Sequence, residues 1–159
     1  MKHIIFVRHA IASRGDSKTK DFDRPLTEKG RFDALEMSKR LKTLAIQPDL
    51  VICSSSKRTM ETAMVFARNH GIETQGMLKL YHAMPDTFES VIQELDDTIK
   101  TIIIVGHNPG ISFIADIANP GKTTNLPTCG MIITTAETDK WQDCSLKNLN
   151  VVSIEVPSD

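Results

Sequence analysis

Residues 2–9 of the chain read KHIIFVRH, and residues 101–107 read TIIIVGH. Each stretch holds four consecutive apolar residues, nearly all of them β-branched, and a histidine stands two residues after each run. Apolar runs of this kind are typical of strands that are buried on both faces, as in parallel sheets. The two stretches therefore predict two buried strands, each ending next to a histidine.

Helices and further strands alternate along the rest of the chain. Apolar residues at helical spacing predict a helix that begins near Thr27, and another that begins after residues 54–56 and ends at Gly71. A third helix is predicted over Phe88–Leu95, a fourth at about residues 111–118, and strands at residues 49–53, 72–75, 131–135 and 151–156. This order predicts an α/β fold with a mainly parallel sheet covered on both faces. Such sheets place their sites at the carboxyl ends of the strands.

The segment between the first strand and the first helix, residues 10–23, has the polar composition of a loop. It is long for a connection in a compact domain, and loops of this length tend to be functional or mobile. Ser13, within this segment, is a candidate substrate-binding residue.

Composition narrows the class of protein. The chain has 159 residues, and we expect a single domain that spans residues 1–159. Its 19 basic and 20 acidic residues give a net charge of −1, which argues against a nucleic-acid partner. No apolar run approaches the roughly 20 residues of a membrane span, so we expect no membrane partner. Three cysteines without a C-x-x-C pair predict reduced thiols in a cytoplasmic protein.

Basic residues follow three of the predicted strands. The first strand ends in Arg8 and His9. The second leads into a helix whose first turn holds Arg58, and the strand that begins near residue 101 is followed by His107. Because the carboxyl ends of parallel strands share one edge of the sheet, these side chains are expected to converge. Singly, each also fits a surface ion pair or a satisfied core histidine. Together, two guanidinium groups beside a helix N-terminus predict a phosphate pocket.

The two histidines add chemistry that an anion clamp alone does not need. A neutral imidazole is a good nucleophile, and a phosphorylated imidazole is labile enough to be hydrolysed afterwards. We expect one histidine to attack phosphorus while the second, charged, stabilises the phosphoryl oxygens together with the arginines. Phosphoryl transfer depends mainly on positioning and charge compensation, so no metal or other cofactor is expected. The five histidines include no pair at the i, i+4 spacing of a zinc site.

Four short motifs resemble those of the histidine phosphatase superfamily, also called the phosphoglycerate-mutase-like or RHG family. They are VRHA at residues 7–10, PLTEKG at 25–30, SSSKRTMETA at 54–63 and VGHNP at 105–109. The resemblance implies a three-layer α/β/α sandwich and no metal cofactor. It also implies that His9 is the nucleophile and forms a phosphohistidine intermediate, with Arg8, Arg58 and His107 completing the phosphate pocket. Ser55 stands where the family has a proline.

The short length, and Arg-His-Ala in place of Arg-His-Gly, look most like the SixA-type phosphohistidine phosphatases. Many members of the superfamily carry a glutamate that protonates an ester leaving group, but residues 80–86 read LYHAMPD and contain none. His82 and Asp86 are candidates to replace this acid, and both also fit a polar loop. SixA-type proteins lack the glutamate as well. A phosphoramidate can do without it, because a protonated imidazole is already a good leaving group.

These features together predict a metal-independent phosphatase that acts on phosphohistidine in a protein, such as a histidine phosphotransfer domain. A chain of 159 residues leaves little length to build a roof over the pocket, which favours a phosphorylated side chain carried by a folded protein. Two alternatives stay open. One is a phosphomonoesterase for a small metabolite or for phosphoserine or phosphothreonine, and the other is a phosphoprotein-binding module with vestigial activity.

Overall fold

The computed structural model describes residues 1–158, which form one six-stranded sheet with helices on both faces. The strands are β1 (Lys2–Arg8), β2 (Leu50–Ser54), β3 (Thr74–Met77), β4 (Thr101–Gly106), β5 (Met131–Ala136) and β6 (Asn150–Glu155). The helices are α1 (Glu28–Thr43), α2 (Lys57–His70), α3 (Pro85–Gln93) and α4 (Gly110–Ala118). The strand order is β3-β2-β4-β1-β5-β6. Strands β3, β2, β4 and β1 are parallel to one another, and β5 is antiparallel to its neighbours β1 and β6. The predicted α/β fold with a mainly parallel sheet is confirmed.

The two apolar runs form the centre of this sheet. β1 and β4 are neighbours, with Ile4 opposite Ile102, and every residue of both runs is fully buried. Along β1, Ile4 and Phe6 point into one core cluster, whereas Ile5 and Val7 point into the other. Burial of one such side chain contributes about 1.5–3 kcal/mol, so the central strands stabilise both layers at once.

Two helices cover each face. Met37 of α1 and Phe66 of α2 belong to the cluster that contains Ile5. Phe88 of α3 and Ile111 of α4 belong to the cluster on the opposite side of the sheet. The layers are therefore helix, sheet and helix, which confirms the three-layer sandwich that the family resemblance implies.

The ends of α1 and α2 follow the predicted signals with one difference, whereas α3 begins three residues before the predicted Phe88 and ends two residues before the predicted Leu95. The Thr27 hydroxyl accepts a hydrogen bond from the Gly30 N–H at 3.0 Å and caps α1. α2 ends at His70, and Gly71 directly after it has a φ of 65°, in the left-handed region that favours glycine. Ser56 is the residue before α2, but its hydroxyl bonds the Thr59 hydroxyl at 2.6 Å and does not cap a backbone N–H.

The last strand differs from its sequence pattern. Val152, Ile154 and Val156 alternate in the sequence, as in a strand with one buried face, yet all three are exposed. β6 lies at the edge of the sheet, and its pairing with β5 changes register between Ile133 and Thr134. The strand itself is confirmed, but an edge strand is covered less completely than a central one.

Residues 1–158 also test the predictions made about membrane-spanning segments and about the cysteines. No helix in this part of the chain is long and apolar enough to cross a membrane. Cys53, Cys129 and Cys144 are buried and free of disulfides. Burial raises the pKa of the Cys53 thiol to about 12, so this side chain behaves as a small apolar residue.

The parallel topology brings three strand ends to one edge. Arg8, the last residue of β1, lies opposite Gly106, the last residue of β4, and the His9 N–H donates to the Gly106 carbonyl at 3.0 Å. Cys53 of β2 lies opposite Val105 of β4. The residues that follow β1, β2 and β4 therefore begin from adjacent backbone positions.

Candidate active site

His9 lies directly after β1 and only 8% of its surface is exposed. Its Nδ1 is 2.7 Å from the Ala10 carbonyl oxygen. Because a carbonyl oxygen only accepts, Nδ1 carries the proton and donates it, which leaves Nε2 with a free lone pair. This is the tautomer that a nucleophilic histidine needs.

The surroundings of His9 keep its ring neutral. Burial is the main cause that lowers its pKa to about 4. The hydrogen bond to Ala10 opposes this change, whereas the positive charges of Arg58 and Arg8 add to it. The imidazole is therefore unprotonated at physiological pH, in the form that can attack phosphorus.

His107 follows β4 and faces His9, with 5.5 Å between the ring centroids. Its Nε2–H donates to the Ser54 hydroxyl at 2.9 Å, and its Nδ1 accepts from Nη2 of Arg58 at 3.3 Å. Burial, followed by the charge of Arg58, lowers the pKa of His107 to about 3. In the protein alone this ring is neutral, which differs from the charged second histidine expected from the sequence. The negative charge of a phosphoryl group is needed to favour the protonated form.

Arg58 stands in the first turn of α2, and its side chain is only 3% exposed. Nη1 donates to the Asp21 carbonyl oxygen at 2.7 Å, and Nη2 donates to Oδ2 of the same residue at 3.0 Å. The backbone of Arg58 is tied to the end of β1 through Thr62, whose hydroxyl donates to the Arg58 carbonyl and accepts from the Ala10 N–H. The guanidinium is thus fixed between His107 and the loop that carries Asp21.

Arg8 approaches the site from the end of β1. Its Nη1 donates to the Leu126 carbonyl at 2.9 Å, and the amide of Asn108 donates to the same oxygen at 3.1 Å. This shared acceptor links Arg8 to the segment that carries His107. Burial lowers the pKa of Arg8, although a guanidinium group still remains protonated in proteins.

The two arginines have unused hydrogen-bond donors. Within residues 1–158, the buried side-chain nitrogen or oxygen atoms without a partner are Nε of Arg8 and Nε of Arg58. A buried donor left unsatisfied costs about 1–3 kcal/mol, so a pair of them at one site indicates an anion as their partner. We call Arg8, His9, Arg58 and His107 the floor of the site.

The turn between β2 and α2 is closed by hydroxyl groups. Thr59 donates to the Ser54 carbonyl at 2.7 Å, and the Ser54 hydroxyl accepts from the Ser56 N–H at 3.3 Å. Ser55 stands here in place of the family's proline. The hydrogen bonds of Ser54 and Thr59 hold the turn that the proline would otherwise stiffen.

Asp21 is the residue that sequence reasoning missed. It lies in a short 3-10 turn, residues 21–23, inside the long polar loop. Its Oδ2 accepts from Arg58, from the Tyr81 hydroxyl and from Nε2 of His82, and its Oδ1 accepts from Arg24 at 2.9 Å. The unusual length of the loop was the one signal in the sequence that pointed to this segment.

The hydrogen bond from Tyr81 is the main cause that holds the pKa of Asp21 well below its usual range, and Arg58 adds to it. Tyr81 also lies edge-on to His107, with 5.4 Å between the ring centroids. Asp21, Tyr81 and His82 therefore form a second, more exposed layer above the floor, and we call these three residues the mouth of the site.

His82 is brought to the site but stays accessible to solvent. Its ring centroid is 4.8 Å from that of His107, and its Nε2 is 3.2 Å from Oδ2 of Asp21. About half of the side chain, 52%, is exposed. Its φ of 52° lies in the left-handed region, so the backbone is bent where this ring turns toward the floor. A role for His82 as an acid stays a prediction.

The other two candidates are engaged in local contacts. The Ser13 hydroxyl accepts from the Gly15 N–H at 3.1 Å, and the Ser13 carbonyl accepts from Arg24 at 2.8 Å. Asp86 accepts from the Thr87 N–H in the first turn of α3. No contact described within residues 1–158 joins either side chain to the floor, so substrate binding by Ser13 stays a prediction.

The arrangement brings together a neutral imidazole with a free Nε2 lone pair, two guanidinium groups and a second imidazole. Residues 1–158 contain no group of three or more His, Cys, Asp or Glu side chains placed to hold a metal ion. The cationic groups of the floor are the guanidinium groups of Arg8 and Arg58.

Comparisons with known proteins identify the family and the fold. The model of the histidine phosphatase superfamily (branch 1) matches residues 4–82. An uncharacterized protein of Mycobacterium leprae is 31% identical over 166 residues, which cover 95% of this chain and 99% of that protein. The fold matches an Agrobacterium tumefaciens protein assigned as the phosphohistidine phosphatase SixA, with a TM-score of 0.84, 23% identity and 99% of each chain covered. It also matches the protein histidine phosphatase SixA in complex with tungstate, with a TM-score of 0.78, 17% identity and coverage of 96% of this chain and 95% of that one.

The matched segment contains three of the four motifs, and with them Arg8, His9 and Arg58. The fourth motif supplies His107, whose ring faces that of His9 across the sheet edge. The family resemblance inferred from the motifs is confirmed. The chain belongs to branch 1 of the histidine phosphatase superfamily and is a phosphatase of that family.

Proposed function

We propose that the protein removes phosphate from phosphohistidine carried by another protein, for example a histidine phosphotransfer domain, and that it does so without a metal ion. The observation that carries this proposal is the floor itself. His9 presents a free Nε2 lone pair beside two buried guanidinium donors that lack partners. A phosphoryl group would give those donors acceptors and place phosphorus within reach of the nucleophile.

The reaction has two displacement steps. Nε2 of His9 attacks phosphorus, a new P–N bond forms, and the P–N bond of the substrate breaks with its electron pair on the leaving nitrogen. The substrate imidazole, protonated on its other ring nitrogen, leaves as neutral histidine. Water then attacks phospho-His9, the P–Nε2 bond breaks, and inorganic phosphate carries away the oxygen and protons of that water. Arg8 and Arg58 compensate the oxygen charges in both steps.

The state of the nearby carboxylate supports a phosphoramidate substrate. An ester needs a proton donor for its leaving oxygen, whereas protonated phosphohistidine does not. Asp21 is ionised and accepts hydrogen bonds from Arg58, Tyr81 and His82, so it has no proton to give. The ionised Asp21 at the mouth therefore suits a substrate whose leaving group is already protonated.

The surface around the mouth supports a protein as the carrier of the phosphoryl group. His82 is half exposed, and Leu78 and Met84, on either side of residues 81–82, are 67% and 45% exposed. Exposed apolar side chains on both sides of Tyr81 and His82 in the chain would offer a carrier protein an apolar contact close to these two residues.

Phosphate release from a phosphohistidine peptide and from a phosphorylated phosphotransfer domain tests the proposal. Replacement of His9 by alanine should lower the rate by about 10³-fold or more, because the nucleophile is lost. Wild-type rates should be the same with and without a metal chelator. Retention of the wild-type rate by His9→Ala would contradict the mechanism. A wild-type rate no higher than that of His9→Ala would instead favour a binding module with vestigial activity.

A phosphomonoesterase is the second candidate, and the position of His82 favours it. This titratable side chain lies next to His107 at the opening of the site, where a donor to an ester oxygen would be needed. The floor residues alone do not distinguish an ester from a phosphoramidate. Parallel assays with the phosphohistidine peptide and a panel of sugar phosphates separate the two, and a strong preference for the esters would overturn the first choice.

A further inference from the structure

Asp21 places a negative charge inside a site that is otherwise built to bind anions. Its carboxylate and carbonyl oxygens together occupy both terminal nitrogens of Arg58, at 3.0 Å and 2.7 Å. Nε of that guanidinium is left without a partner, and Nη1 keeps one further N–H. A phosphoryl group bound to Arg58 therefore lies within a few ångströms of a second, permanent anion.

The charge of Asp21 is fixed by its neighbours. Tyr81, Arg58 and His82 all contact Oδ2, and Arg24 contacts Oδ1. These contacts favour the ionised carboxylate, whose pKa lies well below the usual range mainly because of Tyr81. The side chain is 44% exposed, so the carboxylate is accessible to solvent, unlike the buried Arg58 that it contacts.

The geometry of displacement decides which part of a substrate meets this charge. In-line attack puts the leaving group on the side of phosphorus opposite to the nucleophile. His9 is buried and belongs to the floor. The leaving group must therefore point away from the floor and toward the mouth, where Asp21, Tyr81 and His82 lie.

We propose that Asp21 determines specificity by selecting the charge of the leaving group. A protonated imidazole, or another cationic nitrogen leaving group, is attracted by the carboxylate. A phosphate ester that carries its own carboxylate or second phosphate next to the scissile bond is repelled. This inference deepens the proposed function and rests on it for the choice of phosphohistidine as the preferred substrate.

Asp21 also positions Arg58, and this structural contribution has a different signature. Loss of a positioning contact lowers the rate for every substrate by the same factor, because each one uses Arg58. Loss of a selective charge changes the ratio between substrates. The ratio of kcat/KM values is therefore the informative quantity.

The test compares wild type, Asp21→Asn and Asp23→Asn on three substrates: a phosphohistidine peptide, p-nitrophenyl phosphate and 3-phosphoglycerate. Asparagine keeps the size and an acceptor oxygen but removes the charge. Asp23 is an exposed carboxylate of the same turn whose described hydrogen bond is made by its backbone N–H, so it is a matched control. In Asp21→Asn, kcat/KM for 3-phosphoglycerate divided by kcat/KM for p-nitrophenyl phosphate should rise about tenfold. The corresponding ratio for the phosphohistidine peptide and p-nitrophenyl phosphate should fall about fivefold. Asp23→Asn should leave both ratios as in wild type.

Equal changes for all three substrates, or the same change in both variants, would overturn the inference. Failure of the proposed function is distinguishable: wild type would then not hydrolyse the phosphohistidine peptide faster than His9→Ala. In that case the ratio of kcat/KM values for the two esters alone decides the role of Asp21.

Dissociation constants of inorganic phosphate and 3-phosphoglycerate, measured on His9→Ala with and without Asp21→Asn, give the same comparison without turnover. Relative affinity for 3-phosphoglycerate should rise about tenfold, and an unchanged ratio would overturn the inference.

Discussion

The floor and the mouth of the site are held in different ways. The floor side chains stand directly at the carboxyl ends of β1 and β4 and in the first turn of α2, and His9 and His107 hydrogen-bond a carbonyl and a buried hydroxyl. The mouth side chains come from two loops and are joined to one another through the carboxylate of Asp21. His9 and His107 are buried, whereas Asp21 and His82 are about half exposed.

From this contrast we expect the floor to act on the phosphoryl group and the mouth to discriminate between substrates. Groups that a sheet holds in place are pre-organised, so they stabilise the transition state without further rearrangement. Groups at the opening meet the part of the substrate that differs from one compound to another. Changes in the floor should therefore affect every substrate equally, and changes in the mouth should affect substrates unequally.

Among the substitutions that compare the floor with the mouth, replacement of Arg58 by alanine should have the largest effect, a loss of about 10³-fold in kcat/KM for every substrate. The substitution removes the buried guanidinium that faces His107 and carries one of the two unpaired Nε donors. Arg58→Lys keeps the charge but loses the planar fork, so it should recover only part of the activity. Steady-state kinetics with a phosphohistidine peptide and p-nitrophenyl phosphate measures both variants.

The matched control is Lys57→Ala, which removes an exposed cation from the preceding position of α2. It should keep wild-type kinetics, and circular dichroism of all variants shows whether the fold is intact. A loss confined to one of the two substrates would break the assignment of Arg58 to the floor.

The second prediction concerns pH and the burial of His9. Its pKa of about 4 lies below the ordinary value of 6.5, so the unfolded chain binds this proton more readily than the folded one. The stability that depends on neutral His9 is therefore fully present above about pH 6.5 and is lost as the pH falls toward 4. From pH 7.5 to 4.5 the free energy of unfolding should fall by about 2–3 kcal/mol more in wild type than in His9→Asn. Urea titrations at the two pH values measure the difference, and equal losses in both proteins would show that His9 is not buried in its neutral form.

The floor was predictable from the sequence because few physical rules are needed to assemble it. A four-residue apolar run before His9 and another before His107 predict two buried strands, and parallel packing brings their ends together. The hydrogen-bonded state of the rings was not predictable. His107 is neutral in the protein alone because it is buried beside Arg58. The sequence predicts that the two side chains converge, but it does not predict how deeply His107 is buried.

The mouth was not predictable for a related reason. Asp21 belongs to a polar loop whose course depends on contacts with Arg58 and Tyr81, residues that lie 37 and 60 positions away along the chain. Nothing in the local sequence distinguishes Asp21 from Asp23 in the same turn. β6 illustrates the same limit, since the alternation of Val152 and Ile154 predicts a strand but not which face the helices cover.

A smaller effect is expected where the floor meets its support. Ser54→Ala removes the acceptor of the His107 Nε2–H and leaves that buried donor unsatisfied. The free energy of unfolding should fall by about 1–3 kcal/mol, and kcat/KM should fall about tenfold for all substrates because His107 is no longer held in place. Chemical denaturation measures the change in the free energy of unfolding. Steady-state kinetics with the phosphohistidine peptide and p-nitrophenyl phosphate measures the change in kcat/KM.

Ser56→Ala is the matched control for this variant. Ser56 is a buried serine of the same turn, but its hydroxyl bonds Thr59 and not a floor residue. This substitution should lower stability while leaving kcat/KM close to wild type. Equal kinetic losses in the two variants would mean that the turn as a whole, and not the hydrogen bond to His107, maintains the floor.

The smallest effect is expected for His82→Asn at the mouth, because phosphohistidine brings its own proton. Asparagine tolerates the φ of 52° at this position, so the backbone should be little disturbed. For the phosphohistidine peptide, kcat/KM should stay within about threefold of wild type. A sugar phosphate and p-nitrophenyl phosphate extend the test, since the sugar alcohol is a poor leaving group that needs a proton and nitrophenolate is a good one that does not. A loss of about 30-fold or more for the sugar phosphate alone would identify His82 as an acid. Such a result would mean that His82 takes part in the reaction itself and not only in discrimination between substrates, and it would favour an ester as the substrate.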